Sequence, residues 1–557
     1  MAISIGSAAG TLILAFLIYK TLSFARFYIH ARRAGFPILI TPVFSKSVPW
    51  LILGPTFQQQ FEKYLPEWIY ERLDLVIHGW EFRNGRKYHE RFGSTFSVVT
   101  PDEVSIWCAD PDLSQEILQR RIDFPQAPIV AKVLGFFGPN VFCTNGDAWK
   151  RHRRMFAANL DERISRTVWS ESVEQASEML RYMLSDPENS KETSTLSALQ
   201  SVAINVIGQA GYSQKVPWKP NLRERDGETK TGKAAYFETL VLASEKVMEA
   251  AMLPPRFLQM SFMPEALRLL GYHMERVGGY IAELFEEERC AEREKDASAT
   301  SRRNNFLSLL LKLSDEGKRT GDGEFSLTDD EISGSLYVFS TAGYETTSNT
   351  MGYAVTYLAA YPEWQDWMRE ELQGLNEDSL TWNYDEVYVK CKRTLAVMLE
   401  ILRLYPPVLH STRAVLTPQT LTSPNGKTHV LTPPMDLYAC QLSVHLDPSI
   451  WGPDVTEFNP SRWINDFGEL ITPAKGTYLP WSSGPRICPG LKMSQVEFVA
   501  TMATLFRKAG VEASPVGGVT DRVELRRRLL GIARDSFNAL TLQMRNKEGV
   551  KVRWVEV

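Results

Sequence analysis

The run Pro480-Trp481-Ser482-Ser483-Gly484-Pro485-Arg486-Ile487-Cys488-Pro489-Gly490 sets one cysteine between two glycines, ahead of an amphipathic stretch from Leu491 to about Lys508 closed by Gly510. Glycines allow tight backbone turns around a side chain that projects alone. The helix predicted after it aims its positive amino-terminal end at that side chain, and a thiolate is stabilised in such a place. A structural cysteine in a glycine turn is the bland alternative. The other cysteines, Cys108, Cys143, Cys290, Cys391 and Cys440, form no CxxC pair and no dense framework, so all six read as reduced, cytosol-facing thiols.

Three further constellations carry chemistry only in combination. Glu345 and Thr346 follow Ala342-Gly343-Tyr344 inside a helical pattern from Thr328 to Tyr361. A carboxylate beside a hydroxyl can move protons; equally, it can be a surface glutamate beside a back-bonded helix threonine. Glu400 and Arg403 stand at i and i+3, close enough to pair, in an otherwise apolar helix. The same spacing recurs at Glu286 and Arg289 in a solvated charge run. Trp149 and Arg153 lie one helical turn apart, and the planar guanidinium fork suits carboxylate recognition. No histidine forms HExxH or HxH, so His152, His410 and His445 read as structural.

The elements that must position these residues are mainly helices. Patterns run over Ala234–Met252, Phe306–Leu313, Thr328–Tyr361 and Arg393–Tyr405, the last stopped by Pro406-Pro407. Charge-rich loops are expected at Lys219–Lys233, Glu286–Asn305 and Ser314–Glu324. Strand signals are few and late; the clearest is Thr420–Leu431, with Asn425-Gly426 as a type I′ hairpin turn. Gly426-Lys427-Thr428 is no phosphate loop, because Leu421 stands where a glycine is needed. With 557 residues, 44% hydrophobic and 23% charged, the chain has ample core material and excludes wholesale disorder. Its net charge of −4 gives no reason to expect a nucleic-acid partner. No GxGxxG follows a strand and no Walker A run appears, so electrons for any redox chemistry must come from elsewhere.

From Ile3 to Tyr19 there is no charged side chain, and the apolar character continues beyond Lys20. About 23 residues at ~1.5 Å each cross the ~30 Å hydrocarbon layer, so residues 1–25 are expected to be a retained membrane anchor. The small residues Ser7, Ala8, Ala9 and Gly10 precede the apolar run, the wrong side for signal cleavage. Lys20, Arg26, Arg32 and Arg33 follow it and place the remainder in the cytosol. Residues 26–55, broken by Pro37, Pro42, Pro49 and Pro55, read as a linker, and 56–557 as one large domain with a minor β region.

The cysteine run resembles the heme-binding signature of the cytochrome P450 family, FxxGxRxCxG in pattern form, with Trp481 in place of the usual phenylalanine. Four such fixed positions arise by chance at roughly one in a thousand in a chain of this length. Glu400-Ile401-Leu402-Arg403 matches the family's ExxR motif, Pro460-Ser461-Arg462-Trp463 the later segment whose arginine joins that pair, Ala342 to Thr347 the oxygen-activation sequence, and Trp149 to Arg153 the WxxxR motif. The resemblance spans roughly residues 50–555 and implies a helix-rich P450 fold with heme b between the long central helix and the cysteine-loop helix. It implies Cys488 as the axial iron ligand, Trp481 as an aromatic shield, and Gly490 in the loop. Trp149, Arg153, Arg413 and Arg486 would face the heme propionates, and Ala342 and Gly343 would let backbone approach the heme. Glu345 and Thr346 would deliver protons to dioxygen, and Glu400, Arg403 and Arg462 would lock the structure. A thiolate ligand favours O–O cleavage.

An anchored member implies an endoplasmic-reticulum monooxygenase served by a separate NADPH reductase, with cytochrome b5 as an optional second donor. Lys150, Arg151, Arg153 and Arg154 would offer that partner a basic cluster. Ile129, Val130, Val133, Leu134, Phe136 and Phe137 would roof a pocket for an apolar substrate. His445-Leu446-Asp447 and Trp451-Gly452-Pro453-Asp454 are similar to fungal members that oxidise terpenoids or polyketides. A heme-thiolate isomerase or dehydratase, and a non-catalytic heme sensor or electron carrier, are the competing readings.

Overall fold

The computed structural model describes residues 5–185, 194–220, 232–295, 305–321, 326–515 and 518–557. They form two compact units. The first comprises Met1–Ile129, Leu409–Val455 and Pro473–Ile487; the second comprises Val130–Val408, Thr456–Thr472 and Cys488–Val557.

The first unit is built on a mixed five-stranded sheet. Its strands are β1 (Ile38–Ile40), β2 (Thr95–Val99), β3 (Val104–Cys108), β4 (His410–Val415) and β7 (Met435–Cys440), in the order β1-β2-β3-β7-β4. β1 runs parallel to β2 and β3 to β7; β2–β3 and β7–β4 are antiparallel. Strand signals were expected to come late, yet β2 and β3 lie early. Every one of their residues is buried, so they lack the in-out alternation that marks a half-buried strand.

The amino-terminal helix runs unbroken from Ile5 to Ala34. Its stretch Gly10–Ala34 is long and apolar enough to cross a membrane. The last turns do something else: Phe27, Ala31 and Ala34 are buried against Val104, Ile106, Met435 and Leu437. Residues 26–55, expected as a linker, hold this helix end, β1, and the start of a helix over Val48–Tyr64. Pro49 is tolerated there because it occupies the first turn, where its missing N–H has no partner to lose.

The expected hairpin pairs β5 (Gln419–Thr422) with β6 (Thr428–Leu431), but its turn is not type I′. That turn needs positive φ at both central residues, and here only Gly426 has it, at +80°. Gly426 N donates instead to Ser423 O at 2.8 Å, so Pro424 and Asn425 occupy the centre, with proline's fixed φ in the first of those positions.

In the second unit the central helix spans Asp329–Ala360. Thr328 and Glu331 close a reciprocal capping box at its start. It packs along the helix Thr195–Tyr212. The cysteine helix, Leu491–Lys508, packs on Glu162–Leu184 and on Lys392–Leu404. Gly510 does not close it. The helix passes directly into β8 (Ala509–Ala513), which pairs antiparallel with β11 (Val552–Glu556), Gly510 opposite Val555. A Cβ on Gly510 would stand 3.2 Å from Arg369 Nη2, so packing explains the glycine. A second pair, β9 (Ser536–Asn538) with β10 (Leu542–Met544), completes the minor β content.

Ala234–Met252 is broken at Lys246 into Gly232–Glu245 and Val247–Met252, and Phe306 runs on to Thr320 before Gly321 stops it at φ +74°. Of the expected charged loops, Glu286 to Lys295 closes a helix begun at Glu265, and Ser314 to Thr320 is also helical. Residues 221–231, 296–304 and 322–324 of those loops lie outside the described residues.

Candidate functional site

Cys488 enters the cysteine helix through Gly490, the residue before its first turn. Burial pushes the thiol above its ordinary range; the Gly490 backbone N–H and the charge of Arg153 pull it back. Gly490 has an ordinary φ of −87°, and a Cβ there would sit 3.9 Å from Cys488 Sγ, so the glycine keeps the sulfur's flank open. Gly484 carries the conformational demand. Its φ is +72°, and a Cβ would lie 2.5 Å from Leu118 O within the first unit.

The central helix is buried almost all round. From Gly334 to Ala360 only Ala342, Gly343 and Thr346 are not fully buried, and their spacing of i, i+1 and i+4 puts them on one face. That single opening includes the Thr346 hydroxyl and lies beside the buried acid. Thr346 Oγ1 donates to Ala342 O at 2.7 Å, so its proton is held within the helix while its lone pairs stay available. Gly343 has its own reason to be glycine: a Cβ would come within 2.4 Å of Ile207 Cδ1, on the packed helix Thr195–Tyr212.

Glu345, buried beside this face, accepts a 2.7 Å hydrogen bond at Oε1 from Thr541, whose Oγ1 in turn accepts from Asn349 Nδ2 at 3.1 Å. Glu345 Oε2 is buried with no hydrogen-bond partner among the described residues. Burial raises its pKa to about 7, against the lowering by Thr541 and by the charge of Lys547. Sequence reasoning missed Thr541. Nothing about a lone threonine almost two hundred residues away distinguishes it.

Glu400, Arg403 and Arg462 are brought together. Arg403 bonds Glu400 through Nε at 2.9 Å and Nη2 at 2.8 Å, and Arg462 Nε donates to Glu400 Oε1 at 3.0 Å. Two donors were not expected: Trp463 Nε1 at 2.9 Å and the backbone N of Asn459 at 3.0 Å. Trp463 sits beside Arg462 in the motif and its indole N–H was the available clue.

Trp149 is buried on the helix Gly146–Asn159, and Arg153, half-buried on the same helix, acts electrostatically on Cys488. The other cations do not join it on one face. Arg151 bonds Glu331 and Lys150 pairs with Asp147 at 2.8 Å, while Arg154 is exposed, because successive helix residues turn by about 100°. His152 lies against Ser335 at 3.3 Å, burial holding its pKa near 4. His445 Nε2 accepts from Leu479 N at 2.8 Å, and His410 bonds buried Glu81; all three serve packing.

Within the first unit, Arg413 on β4 is 3% exposed, and burial lowers its pKa to about 10. Its Nη1 donates to Gln126 Oε1 and Thr412 O, both at 2.9 Å, and its Nε is buried without a partner among the described residues. A buried cation given only neutral acceptors has room for an anion. Arg486 closes the 3₁₀ turn Gly484–Arg486, and Trp481 meets Tyr478 edge-on at 6.3 Å.

Within the second unit these groups fit a heme: a sulfur whose burial is opposed by an N–H and a guanidinium, and one opening on the central helix; within the first, Arg413 is a buried cation suited to an anion. The sequence model of the cytochrome P450 family matches residues 72–536. The chain is 30% identical over 551 residues to the phomenoic acid biosynthesis cluster cytochrome P450 monooxygenase of Leptosphaeria maculans, covering 92% of each chain. It is 28% identical to cytochrome P450 monooxygenase prx9 of Penicillium rubens, covering 90% of this chain and 91% of that one. The chain belongs to the cytochrome P450 family, heme-dependent oxidoreductases.

Proposed function

We propose that this P450 inserts one oxygen atom from O2 into an apolar secondary metabolite, of terpenoid or polyketide type, using electrons from NADPH through a separate reductase. Its amino-terminal helix would hold it on the endoplasmic reticulum membrane. The observation that carries the reading is the single opening in the central helix at Ala342, Gly343 and Thr346, beside the buried acid Glu345. An isomerase or an electron carrier has no use for a proton-handling pair there. When bound, heme supplies dioxygen activation through its thiolate-ligated iron. With heme bound, Trp149 and Arg153 of the second unit, and Arg413 and Arg486 of the first, would each be suited to a propionate, Cys488 would ligate the iron, and Glu345 and Thr346 would hold the protons.

An apolar substrate is supported by the short helix Pro128–Leu134, which buries none of its side chains although four of them are Ile129, Val130, Val133 and Leu134. Phe136 and Phe137, which follow it, pack on Tyr337 of the central helix at 5.0 and 4.7 Å. The metabolite class is supported by the relative named for phomenoic acid biosynthesis.

The test is product mass after turnover in labelled dioxygen with NADPH and reductase, beside the reduced carbon monoxide spectrum. Incorporation of one labelled atom, with a thiolate-type spectrum that Cys488→Ala abolishes, is the expected result. Product formed without label would favour the isomerase, and no product from any candidate would favour the carrier.

A further inference from the structure

We propose that Thr541 and Lys547, from the carboxyl-terminal segment, are positioning residues for Glu345: Thr541 fixes its carboxyl, and together they set the pH at which it carries the proton it passes toward Thr346. This rests on the relay reading of Glu345 and adds its supply side.

Thr541 follows β9, and Lys547 opens the 3₁₀ turn Lys547–Gly549 after β10. Asn349, one turn beyond Glu345 on the central helix, donates from Nδ2 into Thr541 Oγ1. That contact occupies the hydroxyl as an acceptor and directs its hydrogen at Glu345 Oε1, 2.7 Å away. A hydroxyl held as a donor favours the carboxylate form. The other oxygen, Oε2, is buried without a partner among the described residues, so the proton has one place to reside.

Lys547 is half-buried and lines a small cleft together with Gln200, Ser348, Asn349 and Tyr353. The residues that orient Thr541 and bias the acid therefore border that cleft. Burial weakens the charge of Lys547 and Glu345 is the acid that most restores it, so the two groups are coupled. The remaining titratable groups felt at Glu345 are exposed Glu245, which opposes its ionisation, and the phenols Tyr337 and Tyr344, kept protonated by burial first and by that carboxylate second.

The experiment is an infrared pH titration of the full-length heme-loaded chain, following the protonated-carboxyl band that Glu345→Gln removes. In parallel, product formed per NADPH is measured across pH. Thr541→Val and Lys547→Met are each expected to move the midpoint up by about one pH unit, since each removes a stabiliser of the carboxylate. The alkaline limb of the coupling profile should move with it. Thr541→Ser, which keeps the hydroxyl, should leave both in place. A merely structural role would lower heme loading without displacing either midpoint. If Thr541→Val and Lys547→Met both load heme normally and neither midpoint moves, the proposal is overturned. If Glu345→Gln leaves coupling intact, the relay reading fails instead.

Discussion

Five donors converge on the two oxygens of Glu400, from Arg403 twice, Arg462, Trp463 and the Asn459 backbone, with Glu400 and Arg403 fully buried. Removing the carboxylate takes the counter-charge from buried Arg403 and half-buried Arg462, and breaking a buried pair costs about 3 to 5 kcal/mol. Glu400→Ala should therefore accumulate little heme-loaded protein, read as reduced carbon monoxide absorbance per mole of chain. Glu400→Gln should fare little better, because its amide turns a donor toward other donors. Near-normal loading in both variants would remove the cluster's structural role. The side chains of this cluster were legible because charge at fixed spacing inside an apolar helix is unusual. The Asn459 contribution was not, since any residue supplies a backbone N–H. Thr541 was hidden for the same reason: its type is common and only the fold brings it to Glu345.

The amino-terminal helix shows where legibility stops at the level of elements. Its apolar run is plain in the sequence, but lipid and protein core select the same side chains, so hydropathy cannot tell that Phe27, Ala31 and Ala34 are committed to the sheet. The early strands β2 and β3 escaped for a related reason, being buried on both faces. Two truncations separate the helix's tasks. Deleting residues 1–25 should release the chain from membranes on sedimentation and leave heme loading and the melting temperature unchanged. Deleting residues 1–34 should also lower the melting temperature, because burial of Phe27 alone is worth about 1.5 to 3 kcal/mol. Equal melting temperatures for the two would show that the last turns add no stability.

At the scale of the whole molecule, the proposed supply of electrons by a separate reductase requires a docking surface on this chain. A net charge of −4 spread over 557 residues offers little long-range steering, and docking must depend on local charge. The four cations once grouped as a cluster divide by direction. Arg151 turns to Glu331 and Arg153 acts on Cys488, leaving Lys150 and Arg154 at i and i+4 on the outer face. Exposed pairs are worth about 0 to 1 kcal/mol each, so the double variant Lys150→Gln, Arg154→Gln should raise the half-saturating reductase concentration by about two- to five-fold. The effect should shrink as salt screens it. Substrate binding and the heme spectrum should not change, since neither residue points inward. Arg151→Gln should behave in the opposite way, depressing thermal stability by removing the charged donor from buried Glu331 while leaving the reductase titration alone. An unaltered reductase titration of the double variant at low salt would move the docking surface away from this helix.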